Sequence, residues 1–384
     1  MFDFFFITKK EKINKSAICV LLNEVNKMFK LHYGQLLGKI DAELQSFMDE
    51  QLALVKNNSF LTYYYSKISD YLFNGGKRIR PVLMLLSYGA INPEELQQPI
   101  IRASLSIELL HNASLIHDDI MDNAETRRGQ KAFHGVLRDY AQENYSSNYI
   151  DHINYGLAMG ILGGDFVYNL AYKILQNHYF SPDVCLRAAS EFTEGFLEVV
   201  KGVIFETDMQ GRFESTESEY FDMIAGKTAS LFEKSAKMGA IYANGSDSQI
   251  SALANFAKNA GIAFQIVDDV IGTFGDETKT GKPIDSDIRE GKRTILLIKA
   301  LENANEEQRK ILYKFVGNKH VKDEDVELVR NVMKDTGALV YAKEKAESLF
   351  KSCQYFLKTA EPQFDPKYVD YLNEIAAMGI LRDK

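Results

Sequence analysis

Proline is scarce in this chain of 384 residues, which contains only seven, and none lies between positions 99 and 182 or between 182 and 283. Those two stretches are rich in Ala, Leu, Ile, Glu and Lys, which are compatible with long helices. Apolar residues recur in them at spacings of three and four, as at Ile100, Ala103 and Ile107. Because no convincing run of alternating apolar and polar residues occurs, the sequence predicts an all-α fold.

Cysteine is also rare, and Cys19, Cys185 and Cys353 are far apart and lack CxxC spacing. They give no basis for a disulfide framework or a cysteine-rich zinc site, and they favour a reducing, cytoplasmic location. A long apolar run is missing too, because Lys9 and Lys10 directly follow the apolar residues 1–7. That is far short of the ~20 residues of a membrane span, and a signal peptide carries its charge before the apolar stretch.

Positive charge is not in excess, since 45 Lys and Arg stand against 53 Asp and Glu, a net charge of −8. This balance argues against a nucleic-acid binder, which needs a basic surface. A chain with 46% hydrophobic and 26% charged residues is typical of a soluble globular protein. No Gly/Ser-rich or Pro-rich linker divides it, so residues 35–384 are predicted to form one domain. Residues 1–34 are predicted to be an N-terminal extension, either a tail or an amphipathic contact.

Four segments interrupt the helical pattern and are predicted to be turns or loops. Residues 74–76 (NGG) end one helix shortly before Pro81, which suits the opening of the next. Residues 126–129 (TRRG) follow a long apolar helix, and the polar residues 138–154 resemble a surface loop. Residues 272–283 contain four Gly or Pro and several charges, which is typical of a functional loop.

Three carboxylates follow the apolar helix that ends near Ile116: Asp118, Asp119 and Asp122. On a helix, residues 118 and 122 share a face, and their charges repel unless a cation is present. Such a cluster suits Mg²⁺, which is typically held by one or two carboxylates and by substrate phosphates. Taken alone, however, it is equally compatible with a solvated acidic helix end.

A second acidic cluster changes this balance, because Asp268 and Asp269 also end an apolar helical run and precede Asp276 and Glu277. Two carboxylate clusters on two long helices can face each other across a bundle interior, as in helix bundles that hold several metal ions. Basic residues next to glycine then indicate the anion, since backbone amides and cations can approach a phosphate together. Five such segments, namely 75–81, 127–129, 226–228, 281–283 and 291–292, suggest diphosphate with Mg²⁺.

These motifs resemble those of the trans-isoprenyl diphosphate synthases, the polyprenyl synthetase family, from about Leu36 to the C-terminus. The motifs that carry the resemblance are residues 75–81, 115–122, 126–129, 226–229, 265–269 and 275–292. The resemblance implies a single bundle of mostly antiparallel helices around a deep central cavity. It implies Mg²⁺-dependent condensation of isopentenyl diphosphate with dimethylallyl, geranyl or farnesyl diphosphate, and a homodimer.

The roles implied by the resemblance can be carried over position by position. Asp118 and Asp122 would ligate Mg²⁺ on the allylic diphosphate with Asp119 in support, and Asp268 would ligate a further Mg²⁺ beside Asp269, three ions in all. The residues that would hold the allylic substrate are Arg127, Lys227, Thr228, Gln265, Lys282 and Lys292. Those that would hold the diphosphate of isopentenyl diphosphate are Lys77, Arg80, His111 and Arg128. Lys227 and the five aspartates are the predicted catalytic groups.

Two positions bear on variation within the family. Gly272 stands where many relatives carry the third aspartate of the second motif, which raises a question about metal geometry there. Ala113 and Ser114 are small and lie about one helical turn, ~5.4 Å, before Asp118. A bulky aromatic commonly closes the cavity at this level in farnesyl-type and archaeal geranylgeranyl-type relatives, so the small residues predict a product of C20 or longer.

Two other readings are compatible with helices and acidic motifs. A non-catalytic subunit of a heteromeric prenyl synthase is disfavoured because both acidic clusters and the phosphate-binding cations are present. A class I terpene cyclase is disfavoured because its second metal motif is of a different type and a basic turn for a second diphosphate would be unnecessary.

Overall fold

Helices make up almost all of the regular structure, as the sequence predicts. The computed structural model describes residues 15–94, 96–176, 179–275 and 285–380, with the side chains of residues 15–26 and 380 excepted. The first helices are α1 (Lys15–Val55), α2 (Ser59–Phe73), α3 (Ile79–Ile91), α4 (Gln98–Met121), α5 (Phe133–Asn144), α6 (His152–Leu175), α7 (Pro182–Gln210) and α8 (Glu217–Ile224). A π-helical turn (Ala225–Ala229) joins α8 to α9 (Ser230–Tyr242). They are followed by α10 (Asp247–Phe274), α11 (Ser286–Glu290), α12 (Ile295–Asn303), α13 (Glu306–Phe315), α14 (Asp323–Asp335), α15 (Ala338–Lys358) and α16 (Pro366–Ile380).

A short hairpin is the one departure from helix and loop in the described residues. Strands β1 (Thr126–Arg127) and β2 (Gln130–Lys131) pair in antiparallel fashion, with Arg127 opposite Gln130. The two turn residues, Arg128 and Gly129, both have positive φ, 53° and 75°. Two such residues in a row suit the tight turn of a two-residue hairpin. The predicted break at 126–129 is therefore a hairpin that holds two arginines close to the end of α4.

The core consists of two groups of buried apolar side chains. The larger group lies among α1 to α7, α9, the first part of α10, the end of α15 and α16, and the smaller one among α8, the end of α10 and α11 to α15. Helix α4 is buried along most of its length, and α10 contributes to both groups. The two helices that carry the acidic motifs are therefore central elements whose ends are fixed by packing on several sides.

The predicted loop at residues 138–154 is wrong for most of its length. Helix α5 continues to Asn144 and α6 begins at His152, so only residues 145–151 lie outside helices. The polar composition hides an amphipathic helix, in which Leu137 and Ala141 are buried. On its other side the ring of Tyr140 stacks on Tyr63 of α2, with the ring centroids 4.6 Å apart. These aromatic contacts between distant segments stabilise a helix that composition alone does not reveal.

The described residues cover only part of two other predicted segments, the loop 272–283 and the N-terminal extension 1–34. Helix α10 runs through Gly272 to Phe274, so the first residues of the predicted loop 272–283 are helical, while 276–284 lie outside the described residues. Helix α1 crosses position 34 without interruption, and Phe29 is buried near Tyr33 and Tyr371. A search of the described residues for a helix with the length and apolarity needed to cross a bilayer finds none.

Candidate active site

A cavity of about 480 Å³ lies between the ends of the helices that carry the sequence motifs. Its walls come from α4, α7 and α10, with contributions from the starts of α3 and α12, the π-helical turn and α11. The predicted site residues that line it are Arg80, His111, Ser114, Asp118, Lys227, Thr228, Gln265, Asp268, Asp269 and Lys292. Residues that are up to about 210 positions apart in the sequence thus face one space.

The carboxylates of the first motif differ in their surroundings. Asp118 lines the cavity, and its Oδ2 lies 3.3 Å from Arg127 Nη2 while its Oδ1 lies 3.7 Å from Lys227 Nζ. Asp119 is fully buried and accepts hydrogen bonds from Arg127 Nε at 2.6 Å and from the Tyr71 hydroxyl at 3.1 Å. Asp119 therefore holds Arg127 in place beside Asp118.

Asp122 caps the C-terminus of α4, one turn beyond Asp118. Desolvation and the nearby charge of Asp118 raise the pKa of Asp122 above its usual value. The electrostatic repulsion between two carboxylates at this spacing is reduced when a cation lies between them. The end of α4 is thus suited to a divalent ion.

The second motif places a buried acid behind an accessible one. Asp268 lines the cavity, and Asp269 is buried, where it accepts hydrogen bonds from the Tyr220 hydroxyl at 2.7 Å and from Gln265 Nε2 at 2.9 Å. Burial raises the pKa of Asp269 to about 8, and the neighbouring charge of Asp287 adds to the effect. Asp269 therefore orients Gln265 and Tyr220, and the accessible oxygens at this end of α10 are those of Asp268.

A third carboxylate near the second motif was not assigned from the sequence. Asp287, at the start of α11, lines the same cavity and lies 3.0 Å from Lys292 Nζ. A Cβ atom built on Gly272 would lie only 2.5 Å from Asp287 Oδ2. The carboxylate of Asp287 thus occupies the space next to Gly272, the position predicted from the resemblance to carry the third aspartate of the second motif in many relatives. Asp287 lies in the motif of residues 275–292, which marks it as a candidate, but no role was predicted for it from the sequence.

The acidic groups fit an Mg²⁺ ion that is held jointly by protein carboxylates and by a bound ligand. In the described part of the chain, no three His, Cys, Asp or Glu side chains lie close enough together to enclose a metal ion. Mg²⁺ does not require such a cage, because it is commonly held by one or two carboxylates together with substrate phosphates and water. Asp118 and Asp268 provide oxygen ligands of that kind on the cavity wall, and Asp122 lies one helical turn beyond Asp118. The residues therefore fit a metal that arrives with a phosphorylated ligand.

The π-helical turn brings Lys227 and Thr228 to the cavity wall. A Cβ on Gly202 of α7 would lie 2.1 Å from the backbone nitrogen of Lys227, and one on Gly226 would lie 2.6 Å from a carbonyl of α7. Only two glycines permit this close approach of the turn to α7. Lys227 pairs with Glu206 as well as with Asp118, and Thr228 donates a hydrogen bond to Gln265 Oε1 at 2.8 Å. Glu206 is a second site residue that the sequence analysis missed.

Away from the acidic motifs, the cavity carries Arg80, whose nearby acid, Glu108, is bound by Arg78. Arg80 Nε is buried and has no hydrogen-bond partner among the described residues. Burial lowers the pKa of Arg80 to about 10. His111 is kept neutral, since burial and then the charge of Arg80 lower its pKa well below the usual value. The guanidinium lies over the ring of Phe232, 5.1 Å from its centroid, so its Nε–H is not satisfied by that contact. A buried N–H without a hydrogen-bond partner is costly, and this part of the cavity is therefore suited to an anionic ligand.

The remaining predicted residues lie around this core of the site. Arg128 donates to the carbonyl of Gly75 at 2.8 Å, which ties the hairpin to the turn that carries Lys77. Ser114 lines the cavity, whereas Ala113 is only 1% exposed and packs inside the bundle. Lys282 lies outside the described residues.

Comparisons with known proteins identify the family of the chain. The polyprenyl synthetase family model matches residues 62–333, well over half of the chain. The chain is 34% identical over 320 residues to a geranylgeranyl diphosphate synthase of Saccharolobus solfataricus, which covers 83% of this chain and 87% of that protein. It is 35% identical over 308 residues to a short chain isoprenyl diphosphate synthase of Methanocaldococcus jannaschii, which covers 80% and 84%. Among solved structures, a geranylgeranyl pyrophosphate synthase of Corynebacterium glutamicum, complexed with isoprenyl diphosphate and magnesium, superposes with a TM-score of 0.82 at 28% identity, covering 91% of this chain and 99% of that one.

Proposed function

The chain belongs to the polyprenyl synthetase family and is a trans-prenyltransferase, and on that premise we propose the reaction and the role of each site residue. The enzyme condenses isopentenyl diphosphate with an allylic diphosphate, releases diphosphate, and makes a product of C20 or longer in the presence of Mg²⁺. The observation that carries this proposal is the buried Nε of Arg80, which has no hydrogen-bond partner among the described residues and belongs to a side chain on the same cavity as the two carboxylate motifs.

The cavity offers two diphosphate sites of different character. The allylic diphosphate binds where carboxylates and cations are interleaved, and the residues proposed to hold it are Arg127, Lys227, Thr228, Gln265 and Lys292, together with Lys282. Isopentenyl diphosphate binds at the part of the cavity that carries Arg80. The residues proposed to hold its diphosphate are Lys77, Arg80, His111 and Arg128. Because the two sites share a cavity, the double bond of one substrate can face the allylic carbon of the other.

Asp118, Asp122 and Asp268 are the proposed ligands for Mg²⁺, with three ions expected from the family resemblance. When bound, Mg²⁺ would supply charge neutralisation of the leaving diphosphate as a Lewis acid. Asp119 and Asp269 act through their neighbours, because the oxygens of Asp119 accept hydrogen bonds from Arg127 and Tyr71 and those of Asp269 from Gln265 and Tyr220.

The side chains of the chain itself bind and orient the reacting groups. Arg127 and Lys227 stabilise the charge that develops on the allylic diphosphate as its C–O bond breaks. The double bond of isopentenyl diphosphate then attacks the cation, a new C–C bond forms, and a proton is lost to the released diphosphate. His111 donates a hydrogen bond as a neutral imidazole, so it adds no positive charge beside the carbocation. Apolar side chains of α7 such as Phe196 and Val199 exclude water from the cation.

Product length is proposed to depend on the part of the cavity beneath Asp118. Ser114 leaves the space along α4 open, and Phe196, Val199 and Val203 of α7 form the opposite wall. A chain that grows along this wall meets no aromatic residue from α4 at the level of Ser114. This supports a product of C20 or longer, in agreement with the geranylgeranyl diphosphate synthase to which the chain is similar.

A homodimer is proposed from the exposed side of α6 and α7. Six large apolar side chains on these two helices are between 47% and 71% exposed: Ile161, Leu162, Leu186, Leu197, Ile204 and Phe205. Apolar patches of this kind on neighbouring helices mark protein–protein interfaces. A second copy of the chain is the proposed occupant, because the isologous contact of a twofold dimer requires only one self-complementary surface.

The test is an incubation of the purified protein with isopentenyl diphosphate and each allylic primer, with and without Mg²⁺, followed by dephosphorylation and mass analysis. We expect a prenyl product of C20 or longer that appears only with Mg²⁺. Asp118→Asn should lower kcat/KM at least ~100-fold, or ~2.7 kcal/mol, whereas Asp70→Asn, in an exposed ion pair with Lys67, should leave it unchanged. No condensation with any primer would instead favour the non-catalytic subunit.

A further inference from the structure

The turn that carries Lys77 has an unusual backbone for its sequence. Gly75, Gly76 and Arg78 all have positive φ values, 71°, 120° and 47°. Glycine adopts this region freely, but for a residue with a side chain it costs ~1–2 kcal/mol. Arg78 must therefore be held in place by the contacts of its side chain.

Those contacts point away from the cavity and connect three helices. The guanidinium of Arg78 donates to Glu108 Oε1 of α4 at 2.8 Å, to Asp41 Oδ1 of α1 at 3.1 Å, and to the carbonyl of Leu72 of α2 at 2.8 Å. The side chains of Arg78 and Glu108 are 4% and 3% exposed, so their ion pair is buried. All three directions of the guanidinium fork are thus used to fix one turn.

Glu108 is well placed to relate this turn to the site. It lies three residues before His111 on α4, and residues at this spacing are neighbours on a helix. Its carboxylate also accepts a hydrogen bond from Asn112 Nδ2 at 3.1 Å, which restricts its side-chain conformation. The ion pair between Arg78 and Glu108 therefore sets the position of Lys77 and Arg80 relative to His111.

Helix α1 provides the outer support of the same turn. The Tyr33 hydroxyl donates a hydrogen bond to the carbonyl of Lys77, two turns of helix before Asp41 contacts Arg78. His32, next to Tyr33, stacks on Tyr371 of α16 with the ring centroids 4.8 Å apart. The segment around residue 33 is thereby fixed between the C-terminal helix and the turn.

We propose that Arg78 is a positioning residue for isopentenyl diphosphate, and that α1 holds the turn of residues 74–78 through Tyr33 and Asp41. This rests on the proposed function, in which Lys77 and Arg80 bind that substrate. Arg78 does not contact the substrate; it presents the two neighbouring cations in a fixed geometry. It also gives the last part of the N-terminal extension a function, which the sequence left open.

The test combines a kinetic and a structural measurement on Arg78→Lys, Asp41→Asn and Tyr33→Phe. Lysine keeps the charge, but its compact ammonium lacks the planar fork with which arginine reaches acceptors on three different helices. We expect KM for isopentenyl diphosphate to rise about tenfold in Arg78→Lys and about threefold in Asp41→Asn, whose side chain is half exposed. KM for the allylic substrate should remain within about twofold of the wild type.

Glu43→Gln is the matched control, because Glu43 lies on α1 two residues after Asp41 and pairs with Arg102 of α4, at 2.8 Å, away from the turn. Like Asp41→Asn, it removes an ion pair made by α1, so the two variants should lose a similar amount of stability. Only Asp41→Asn should change KM for isopentenyl diphosphate. Hydrogen exchange of the peptide that contains residues 74–80 is the second readout. It should accelerate at least about threefold in Asp41→Asn and Tyr33→Phe and stay unchanged in Glu43→Gln.

The two readouts separate the failure of this proposal from that of the proposed function. If the wild type condenses no substrate pair, the proposed reaction is wrong, and the exchange measurement still decides whether α1 holds the turn. If KM for isopentenyl diphosphate and the exchange of residues 74–80 both stay at wild-type values in the three variants, Arg78 is not a positioning residue. Equal increases of KM for both substrates would likewise overturn its selective role.

Discussion

Gly272 offers a sharp test of how the second acidic motif is built. It lies inside α10, where alanine is favoured over glycine by ~1 kcal/mol. Backbone preference alone therefore predicts that Gly272→Ala stabilises the protein. The structure predicts the opposite sign, since the added methyl group would lie 2.5 Å from Asp287 Oδ2 and 3.3 Å from its Cγ. A contact of 2.5 Å cannot persist, so the carboxylate of Asp287 has to move.

The cost of that movement can be estimated from the contact that it breaks. Asp287 lies 3.0 Å from Lys292 Nζ, and a hydrogen bond between charged groups contributes ~1.5–3 kcal/mol. Partial exposure of Lys292 places the value at the lower end of that range. Because Lys292 is proposed to bind the allylic diphosphate, we expect kcat/KM for the allylic substrate to fall ~10-fold, or ~1.4 kcal/mol.

Gly272→Asp, which restores the motif of many relatives, should be more harmful than Gly272→Ala. A second carboxylate at ~4 Å from Asp287 adds a repulsion of ~4 kcal/mol at an effective dielectric constant of ~20. This repulsion should diminish when divalent cations bind. The defect of Gly272→Asp should therefore be larger at low Mg²⁺ than at high Mg²⁺, while that of Gly272→Ala should not depend on Mg²⁺.

The measurements are kcat/KM with the allylic substrate varied at saturating isopentenyl diphosphate, and the free energy of unfolding in denaturant. Gly38→Ala is the control, because Gly38 lies inside α1 and no atom lies within 4 Å of its added Cβ. It should gain ~1 kcal/mol of stability with unchanged kinetics. The reasoning is refuted if Gly272→Ala gains the same stability as Gly38→Ala and keeps wild-type kcat/KM.

Three further predictions follow from the same structure. Ser114→Phe should shorten the product, measured by mass, because Ser114 lines the cavity, whereas Ala113→Phe should overpack α4 and cost ~1–3 kcal/mol of stability; equal product lengths in the wild type and Ser114→Phe would contradict this. Ile204→Glu should convert the proposed dimer to a monomer in sedimentation, and a dimer that persists in this variant would exclude this face. Without divalent metal, the free energy of unfolding should fall as the pH rises towards 8, because the pKa of Asp269 is raised in the folded state and folding therefore favours the protonated acid. Asp269→Asn should flatten this dependence on pH, and equal slopes in the variant and the wild type would contradict the prediction.

The sequence predicts those parts of the molecule that depend on local spacing. Helices α4 and α10 appear as apolar periodicity, and each acidic motif follows directly because its members lie within one turn of the same helix. The positions of the glycine turn and the hairpin are likewise marked by residues that permit a positive φ. Such features need no knowledge of the tertiary fold.

The features that the sequence does not reveal depend on contacts between distant segments. Glu206 becomes a site residue only because Gly202 and Gly226 let the π-helical turn approach α7. Asp287 enters the second motif from another helix, and no spacing rule within α10 points to it. Residues 138–144 of α5 were predicted to belong to a loop for the same reason, because the aromatic partner of Tyr140 lies on α2.

The distribution of charge along the cavity has a consequence for the order of events. At the isopentenyl end the nearby acid, Glu108, is already neutralised by Arg78, so Arg80 faces an anion without competition. At the allylic end Asp118 and Asp268 line the cavity and repel a diphosphate unless cations are bound. Binding of isopentenyl diphosphate should therefore depend little on Mg²⁺, whereas binding of the allylic substrate should depend on it strongly. In the proposed reaction, ionisation takes place where Asp118 and Asp268 line the cavity, so the carbocation would form only on the substrate bound there.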